Sequence, residues 1–228
     1  MIPIAIIDFE TTGLSAGTDR IIEVAAVVIG DDGITATFSQ LMDPGVYIPA
    51  FITGLTGISN AMVRGKPRPE SVMPRLRAFL GEHACVAHNA SFDQRFFTAE
   101  MDLAGQRHER PFVCTLMLAR RLLQRAPNHQ LGTLARVLNL AKPAGMQAHR
   151  ALADVLMTYE LWKHLTALVS SRMNGQVAGV DVMRAIQRKS KALTEPFLTR
   201  LASVRPTIAK TTSNANGQPL RSCLETKN

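Results

Sequence analysis

The sequence predicts an α/β domain with a mixed, five-stranded sheet flanked by helices. Three apolar segments with strand character, 3–9, 21–30 and 34–42, follow one another closely near the start of the chain. Two shorter ones, 84–88 and 112–114, then alternate with segments of helical periodicity. Strands joined by short turns favour antiparallel pairing and strands separated by helices favour parallel pairing, so the combination predicts a mixed sheet.

Turn and breaker residues set the order of these elements. The Asp-Gly of D31-D-G33 predicts a hairpin turn between the second and third strands, and an irregular stretch rich in Pro and Gly follows. Pro69 suits the first turn of a helix that begins there, whereas Pro74 is unfavourable inside the same helix. Asn89 or Ser91 is expected to cap the helix that follows the fourth strand. The apolar spacing predicts helices over 69–80, 89–103, 115–125, 131–138 and 149–169.

Composition divides the chain into a domain over 1–170, a basic linker and helical extension over 171–204, and a tail over 205–228 that is predicted to be disordered. Of the net charge of +8, residues 1–169 carry 16 Lys and Arg against 15 Asp and Glu, whereas residues 170–228 carry 10 against 3. The basic character therefore belongs to the C-terminal part, where Pro196 is expected to interrupt the helical pattern.

Two interpretations of the extension remain open. Its cations could contact the phosphates of a polyanion such as nucleic acid; they are Arg184, Arg188, Lys189 and Lys191. Its apolar residues form a stripe that could instead dock on the domain or on a partner; they are Val182, Ile186, Leu193, Phe197 and Leu201.

The hydropathy pattern and the cysteine content indicate which classes of protein the sequence does not resemble. No run of about 18 apolar residues predicts a membrane span, and no basic segment followed by an apolar one predicts a secretory signal, so we expect a cytoplasmic protein without a membrane partner. Cys85, Cys114 and Cys223 show neither metal-ligand spacing nor a disulfide pattern, and the first two are expected to be small core residues.

Asp8 and Glu10 end the first predicted strand, with only Phe9 between them. A period of two places both carboxylates on one face of the strand, and the T-T-G that follows turns the backbone away. A pair of acids facing water explains this motif when it is considered alone. On a buried strand, however, two adjacent negative charges require a compensating cation.

Two further segments carry the same chemistry. In H88-N-A-S-F-D93 a short strand is followed by a helix with Asp93 in its first turn, where the helix dipole alone would also explain an acid. In H149-R-A-L-A-D154 an acid stands among apolar residues at the start of the last long helix of the domain. His149 and Asp154 can share a site only if His149 lies on the loop before that helix.

Taken together, the three segments predict four carboxylates that converge on one all-oxygen cluster, which suits hard cations such as Mg²⁺ or Mn²⁺ better than zinc. Two such ions are an established device for cleaving phosphodiesters. A histidine beside them can accept the proton of the attacking water. The residue pattern therefore predicts metal-assisted hydrolysis.

The motifs D8-F-E-T-T-G13, H88-N-A-S-F-D93 and H149-R-A-L-A-D154 resemble the three exonuclease motifs of the DEDDh family, the 3′–5′ exonucleases similar to the proofreading epsilon subunit of bacterial DNA polymerase III. The supporting segments D19-R-I-I-E-V-A-A-V27 and L55-T-G-I58 are similar to that family in order and spacing, as is C114-T-L116, and the resemblance covers about residues 3–165.

This resemblance implies a ribonuclease H-like fold, two Mg²⁺ or Mn²⁺ ions and release of nucleoside monophosphates from the 3′ end of single-stranded DNA, in replication or repair. It implies that the metal ligands are Asp8, Glu10, Asp154 and Asp93, and that His149 is the general base. It further implies that the substrate meets Glu10, Thr11, Leu55, Thr56 and Phe92, with Leu55 and Phe92 wedged against the terminal base.

The sequence leaves three questions open. No motif residue separates DNA from RNA as the substrate, so a 3′–5′ exoribonuclease is the first alternative. A nucleic-acid-binding module with a vestigial nuclease site is the second, although all five catalytic positions hold the required residue types. A DNA polymerase subunit is an implied partner, but no Gln-x-x-Leu-x-Phe-like clamp-binding segment follows the motifs, and residues 181–228 do not resemble the polymerase-binding tail of the epsilon subunit.

Overall fold

Five strands form one mixed sheet in the computed structural model, which describes residues 4–106, 109–141 and 149–203. Their order across the sheet is β3-β2-β1-β4-β5. The first three strands pair antiparallel, whereas β4 pairs parallel with both β1 and β5, which confirms the predicted mixed sheet. The strands are β1 (Ile4–Thr11), β2 (Ile21–Gly30), β3 (Gly33–Leu41), β4 (Ala84–Ala87) and β5 (Phe112–Cys114).

The helices of the described residues flank this sheet, and none of them is both long enough and apolar enough to cross a bilayer. All five helices predicted from the periodicity are present, within a few residues of the expected bounds. The helices are α1 (Ala50–Thr56), α2 (Asn60–Val63), α3 (Pro69–Leu80), α4 (Ala90–Leu103), α5 (Thr115–Leu122), α6 (Leu131–Val137), α7 (Ala151–Arg172), α8 (Val180–Gln187) and α9 (Lys191–Ser203).

The stretch expected to be irregular contains α1 and α2. Ile48, Ile52, Ile58 and Val63 from this stretch are buried together against Ile22 of β2. Burial of each such side chain is worth about 1.5–3 kcal/mol, which exceeds the cost of roughly 1 kcal/mol for a glycine inside a helix. Tertiary packing therefore outweighs the Pro and Gly content that suggested a loop.

The expected interruption at Pro196 is wrong, because α9 continues through this residue. The break falls six residues earlier, at Ser190, whose carbonyl accepts hydrogen bonds from the amide of Leu193 and the hydroxyl of Thr194. A proline in the second turn removes a single helical hydrogen bond, and burial of Leu198 holds the helix in place. Pro74 is accommodated in α3 in the same way.

The central strand β1 has two buried faces. Ile4 and Ile6 belong to the core layer shared with α7, whereas Ala5, Ile7 and Phe9 belong to the layer shared with α3 and α4. Because side chains alternate along a strand, the face of Ile4 and Ile6 continues into Asp8 and Glu10. The fold thus turns both carboxylates toward the side of the sheet that carries α7.

The basic extension packs on the domain through α8 and α9. Ile186 and Leu198 are buried in the core layer of α7, and Val182, Phe197 and Leu201 pack against it, whereas Leu193 remains 57% exposed. The side chain of Gln187 accepts a hydrogen bond from the amide of Cys114 at 2.7 Å and donates one to the carbonyl of Phe112 at 3.2 Å. It thereby satisfies the free edge of β5 as a sixth strand would.

The structure thus realises the docking interpretation of the apolar stripe for this part of the chain. The predicted disordered tail over 205–228 lies outside the described residues, as does Cys223.

Candidate active site

Asp8 and Glu10 lie at the carboxyl end of β1, where both side chains are partly buried. The pairing of β1 with β2 is irregular between Glu10 and Thr11, and the hydroxyl of Thr11 donates a hydrogen bond to the carbonyl of Gly13. These features turn the chain away immediately after the second carboxylate. The carboxyl end of a strand in an α/β sheet is the usual place for a ligand.

Asp154 approaches the same place from the first turn of α7. The carboxylates of Asp8, Glu10 and Asp154 each offer one oxygen, and these three oxygens lie within 4.8 Å of one another. The spread is small enough for one cation to contact all three groups. The structure therefore brings together three of the four predicted metal ligands in one all-oxygen cluster, the donor set that Mg²⁺ and Mn²⁺ prefer.

Asp93 lies beside this cluster but not among its closest oxygens. It is buried in the first turn of α4 and accepts a hydrogen bond from the backbone amide of Phe9 at 3.3 Å. This contact ties Asp93 to the residue between the two β1 carboxylates. Its participation in metal binding remains a prediction from the family resemblance.

His149 stands on the segment before α7, as the sequence required if it was to share a site with Asp154. It has a φ of 57°, and Arg150 is the N-cap of the helix. His149 lies close enough to the Asp154 carboxylate to oppose the rise in its pKa. The exposed imidazole and the Asp154 carboxylate both line one cavity, so the two groups can act on the same ligand.

Glu23 joins the site to the start of α7. Its carboxylate accepts hydrogen bonds from Nε and Nη2 of Arg150 at 3.1 and 2.7 Å, and from the backbone amide of Ala151 at 3.0 Å. Glu23 lies directly opposite Glu10 in the β1–β2 pairing. The Glu23–Arg150 ion pair therefore fixes the helix that carries Asp154, and the residue after His149, against the strand that faces the cluster.

Burial and mutual repulsion raise the pKa values of the three carboxylates in the cluster. Burial is the main cause that raises the pKa of Asp8 well above its usual range, and the charges of Asp93 and Glu10 add to it. Burial, followed by the charges of Asp154 and Glu23, raises the pKa of Glu10 to about 8. Burial also raises the pKa of Asp154, against the opposing effect of His149. A bound cation would relieve all three shifts at once.

The residues implied to meet the substrate have different environments. Leu55 is 51% exposed near the end of α1, and Phe92 is partly buried against Phe96, so both retain surface for a ligand. Thr56 is buried, and its hydroxyl donates to the carbonyl of Ile52 and accepts from the amide of Ile58. Thr56 therefore serves the end of α1, and its predicted proximity to a base stays a prediction.

The Glu23–Arg150 pair was not singled out from the sequence, although a signal was present. Glu23 is the only charged residue in the apolar segment I21-I-E-V-A-A-V-V-I29, and a carboxylate in a buried strand needs a partner. Its partner lies 127 residues away along the chain, so spacing could not identify it. His88 has a structural role: its ring nitrogens contact the hydroxyl of Thr115 and the carbonyl of His129.

Comparison with known proteins finds the same unit elsewhere. The family model described as "Exonuclease" matches residues 5–162. The PolC-type DNA polymerase III of Caldanaerobacter subterraneus subsp. tengcongensis is 38% identical over 157 residues, and that of Listeria monocytogenes is 39% identical over 160 residues. Each alignment covers 69% of this chain, which spans only 11% of the length of these relatives.

Solved structures give the same picture. A structure of Exonuclease X in complex with 5′ overhanging duplex DNA is 32% identical, has a TM-score of 0.63, and is matched over 81% of this chain and 99% of that one. Exonuclease I of Escherichia coli in complex with a dT13 oligonucleotide has a TM-score of 0.65 at 16% identity over 76% of this chain and 43% of that one, which bears on the fold alone. The ribonuclease H-like fold is thereby confirmed.

Replacing Arg150 with Met should lower the free energy of unfolding, because it leaves the carboxylate of Glu23 buried without its cation. We expect a loss of about 3 kcal/mol, at the lower end for a buried ion pair since the Arg150 side chain is 32% exposed. Denaturant unfolding of the metal-free chain measures the change. Arg172→Met is the matched control: it removes the exposed Arg172–Glu195 pair and should cost less than about 1 kcal/mol. Equal losses in the two variants would contradict the buried role of Glu23.

The metal-free protein should become less stable as the pH rises from about 6.5 to 8. Because the pKa of Glu10 is raised from 4.5 to about 8, the folded state keeps over this range a proton that the unfolded state has released, so the free energy of unfolding falls with pH until the folded state also releases that proton. Mg²⁺ or Mn²⁺ should restore stability, most strongly at the upper end of this range. Thermal unfolding in EDTA and in either metal measures both effects.

Burial lowers the pKa of His88 from 6.5 to about 4, so this imidazole adds a slope of opposite sign between these two values and little above them. Glu10→Gln should flatten the dependence on pH, whereas Asp32→Asn, an exposed acid in the hairpin turn, should leave it as in the wild type. A slope that is the same in all three proteins would assign the effect to groups outside the cluster.

Proposed function

Because the chain belongs to the exonuclease family whose model spans residues 5–162, we propose that it hydrolyses phosphodiester bonds at the 3′ end of DNA and releases nucleoside monophosphates. The observation that carries this proposal is the cluster of Asp8, Glu10 and Asp154, whose oxygens lie within 4.8 Å of one another beside the exposed His149. Acid clusters are common on protein surfaces, but this one is assembled from a strand end and a helix start within a fold shared with exonucleases.

The residues fit a pair of divalent cations. The donors are carboxylate oxygens, their pKa values are raised by burial and mutual repulsion, and both properties favour Mg²⁺ or Mn²⁺. Asp8, Glu10 and Asp154 would hold the ions directly, and Asp93, anchored by the amide of Phe9, would help to hold the second. When bound, the ions would lower the pKa of water and neutralise charge that develops on the reacting phosphate.

The protein side chains would accept the proton of the attacking water and bind the 3′-terminal nucleotide. His149 would accept the proton of the attacking water, while the oxygen of that water forms a bond to phosphorus and the bond to the 3′-oxygen of the penultimate nucleotide breaks. His149 and Asp154 line the same cavity, which places the imidazole next to one of the proposed metal ligands. Glu10 and Thr11 would meet the terminal 3′-hydroxyl. Leu55 and Phe92 would hold the terminal base.

DNA is the favoured substrate, and RNA remains the second candidate. The relatives at 37–39% identity are named as DNA polymerases, and the Exonuclease X structure is in complex with DNA. These likenesses support DNA for this chain too. The enzyme would prefer single-stranded ends, because a frayed 3′ terminus can enter a cluster that lies at the end of a buried strand.

A DNA polymerase is the protein partner that the comparisons favour. In the PolC-type relatives, the matching segment is 11% of a chain named as a polymerase, so the unit resembles a segment of a polymerizing enzyme. This association supports a role in proofreading or repair. A binding module with a vestigial site is the opposing proposal, and metal-dependent release of nucleotides separates the two.

Asp8→Ala and Asp154→Ala should each abolish nucleotide release while the fold remains intact. Loss of a direct ligand should lower the rate by more than about 100-fold, beyond the 10–100-fold typical of groups that only orient ligands. The assay uses single-stranded DNA labelled at the 3′ or the 5′ end, with Mg²⁺, Mn²⁺ or EDTA. A 5′-labelled strand should shorten stepwise from its 3′ end, and EDTA should stop the reaction. Asp32→Asn serves as the control with a matched loss of an acid. Wild-type activity in Asp8→Ala would remove this site from consideration.

Matched DNA and RNA strands of one sequence should be degraded at different rates, with DNA faster. Initial rates at equal concentrations of 3′ ends measure the preference. A faster reaction on RNA would keep the chemistry and replace the substrate by the second candidate.

A further inference from the structure

A cavity of about 890 Å³ opens directly from the candidate active site. His149 and Asp154 line one end of it, and the cavity continues between α5, α6 and the loop that joins them. Of the carboxylates in the acid cluster, only Asp154 lines this space. The cavity thus leads away from the concentrated negative charge at the end of β1.

Arg120 of α5 and Arg136 of α6 line the cavity, and both residues are exposed. Neither forms an ion pair with any of the residues that the structure describes. Arg121, the neighbour of Arg120, is different, because its guanidinium donates to the carbonyls of Lys189 and Met117. The two cavity arginines are therefore free to meet an anionic ligand.

One wall of the cavity is formed by the loop 128–130, which hydrogen bonds hold in place. His88 Nε2 lies 3.0 Å from the carbonyl of His129, so it must donate there, and Nδ1 then accepts from the hydroxyl of Thr115 at 2.9 Å. These bonds tie the loop to the end of β4 and the start of α5. Asn128 and Gln130, on either side of the anchored residue, line the cavity with exposed side-chain amides.

The cavity also has apolar lining. Leu116, Leu131 and Met157 line it together with the arginines and the amides. Cations for phosphates, amides for hydrogen bonding and apolar side chains for sugars and bases are the combination that a single nucleic-acid strand requires. Apart from the imidazoles of His88, His129 and His149, no aromatic ring of the described residues lines this space, so we expect phosphate contacts to dominate over base stacking.

We propose that this groove, defined by Arg120, Arg136 and the loop 128–130, binds the phosphates of the nucleic-acid strand on the 5′ side of the scissile bond. The inference rests on the proposed function. An enzyme that removes the 3′-terminal nucleotide has the rest of the strand on the 5′ side only, and the strand must leave the acid cluster along a surface that attracts it. The groove begins at the catalytic histidine and offers that attraction.

The two arginines then contribute to binding and not to the chemical step. For a single strand, each neutralised phosphate contributes about −0.7 to the slope of log affinity against log salt concentration. Loss of both arginines should therefore make this slope shallower by about 1.4. Arg125→Ala is the matched control, because Arg125 is exposed on the same connection but lines a separate cavity with Arg172 and Glu195.

The test compares the wild type with Arg120→Ala, Arg136→Ala, the double variant and Arg125→Ala on single-stranded oligonucleotides. We expect the double variant to raise KM by roughly tenfold or more, with kcat within about twofold, and the control to match the wild type. The p-nitrophenyl ester of thymidine 5′-monophosphate has no nucleotide on the 5′ side, so all variants should cleave it equally. Thermal unfolding checks that each variant is folded.

Two results would overturn the groove proposal. One is a KM and a salt slope in the double variant that change no more than in Arg125→Ala. The other is an equal loss of activity on the mononucleotide ester, which would show that the arginines act on the chemical step or on the fold.

A binding experiment separates this proposal from the proposed function. Fluorescence anisotropy of a labelled single strand in EDTA requires no catalysis, and the double variant should bind more weakly than the wild type even if no protein releases nucleotides. Nucleotide release that fails in the wild type, with binding that depends on Arg120 and Arg136, would reject the exonuclease and keep the groove.

Discussion

Mutual repulsion among partly buried carboxylates is the constraint that the surrounding structure must satisfy. Asp8, Glu10 and Asp154 approach one another at the end of β1, and Glu23 lies directly opposite Glu10 on the neighbouring strand. Arg150 is the one positive charge among the groups that act most strongly on Glu10, and it is already paired with Glu23. The repulsion therefore lowers the stability of the folded, metal-free protein. Only a rigid fold can hold the acids close together when no cation is bound.

The fold supplies that rigidity through elements that are buried on more than one side. β1 is central in the sheet and is covered on both faces, so the two carboxylates at its end cannot move apart without disturbing two core layers. The start of α7 is fixed separately, because Glu23 binds both the guanidinium of Arg150 and the amide of Ala151. Positioning by packed elements and a buried ion pair makes the geometry independent of the ligand, which is the condition for electrostatic preorganisation.

The sequence predicted the parts of this picture that depend on local pattern. Strand alternation placed Asp8 and Glu10 on one face, and helix geometry required His149 to precede the helix of Asp154, as it does. Contacts between distant segments were beyond reach: nothing in the spacing joins Glu23 to Arg150, and α1 forms because its isoleucines pack on Ile22 despite the Pro and Gly around them. The exonuclease motifs marked the groups of the proposed site, whereas the groups that hold them in place follow from tertiary packing.

The segment that carries most of the net positive charge does not supply the cations that line the cavity beside the candidate active site. The surplus of cations lies in residues 170–228, but in the described part of that segment the extension is joined to the domain through apolar packing and through Gln187 at the edge of β5. The cations that line the cavity leading from the acid cluster are instead Arg120 and Arg136, from the nearly neutral domain. A polyanion responds to the local field and not to the net charge of the chain. If the acid cluster holds divalent cations as proposed, the two arginines, which form no ion pair with the described residues, would extend the attraction for an incoming strand along the cavity, and this continuity would orient its 3′ end toward His149.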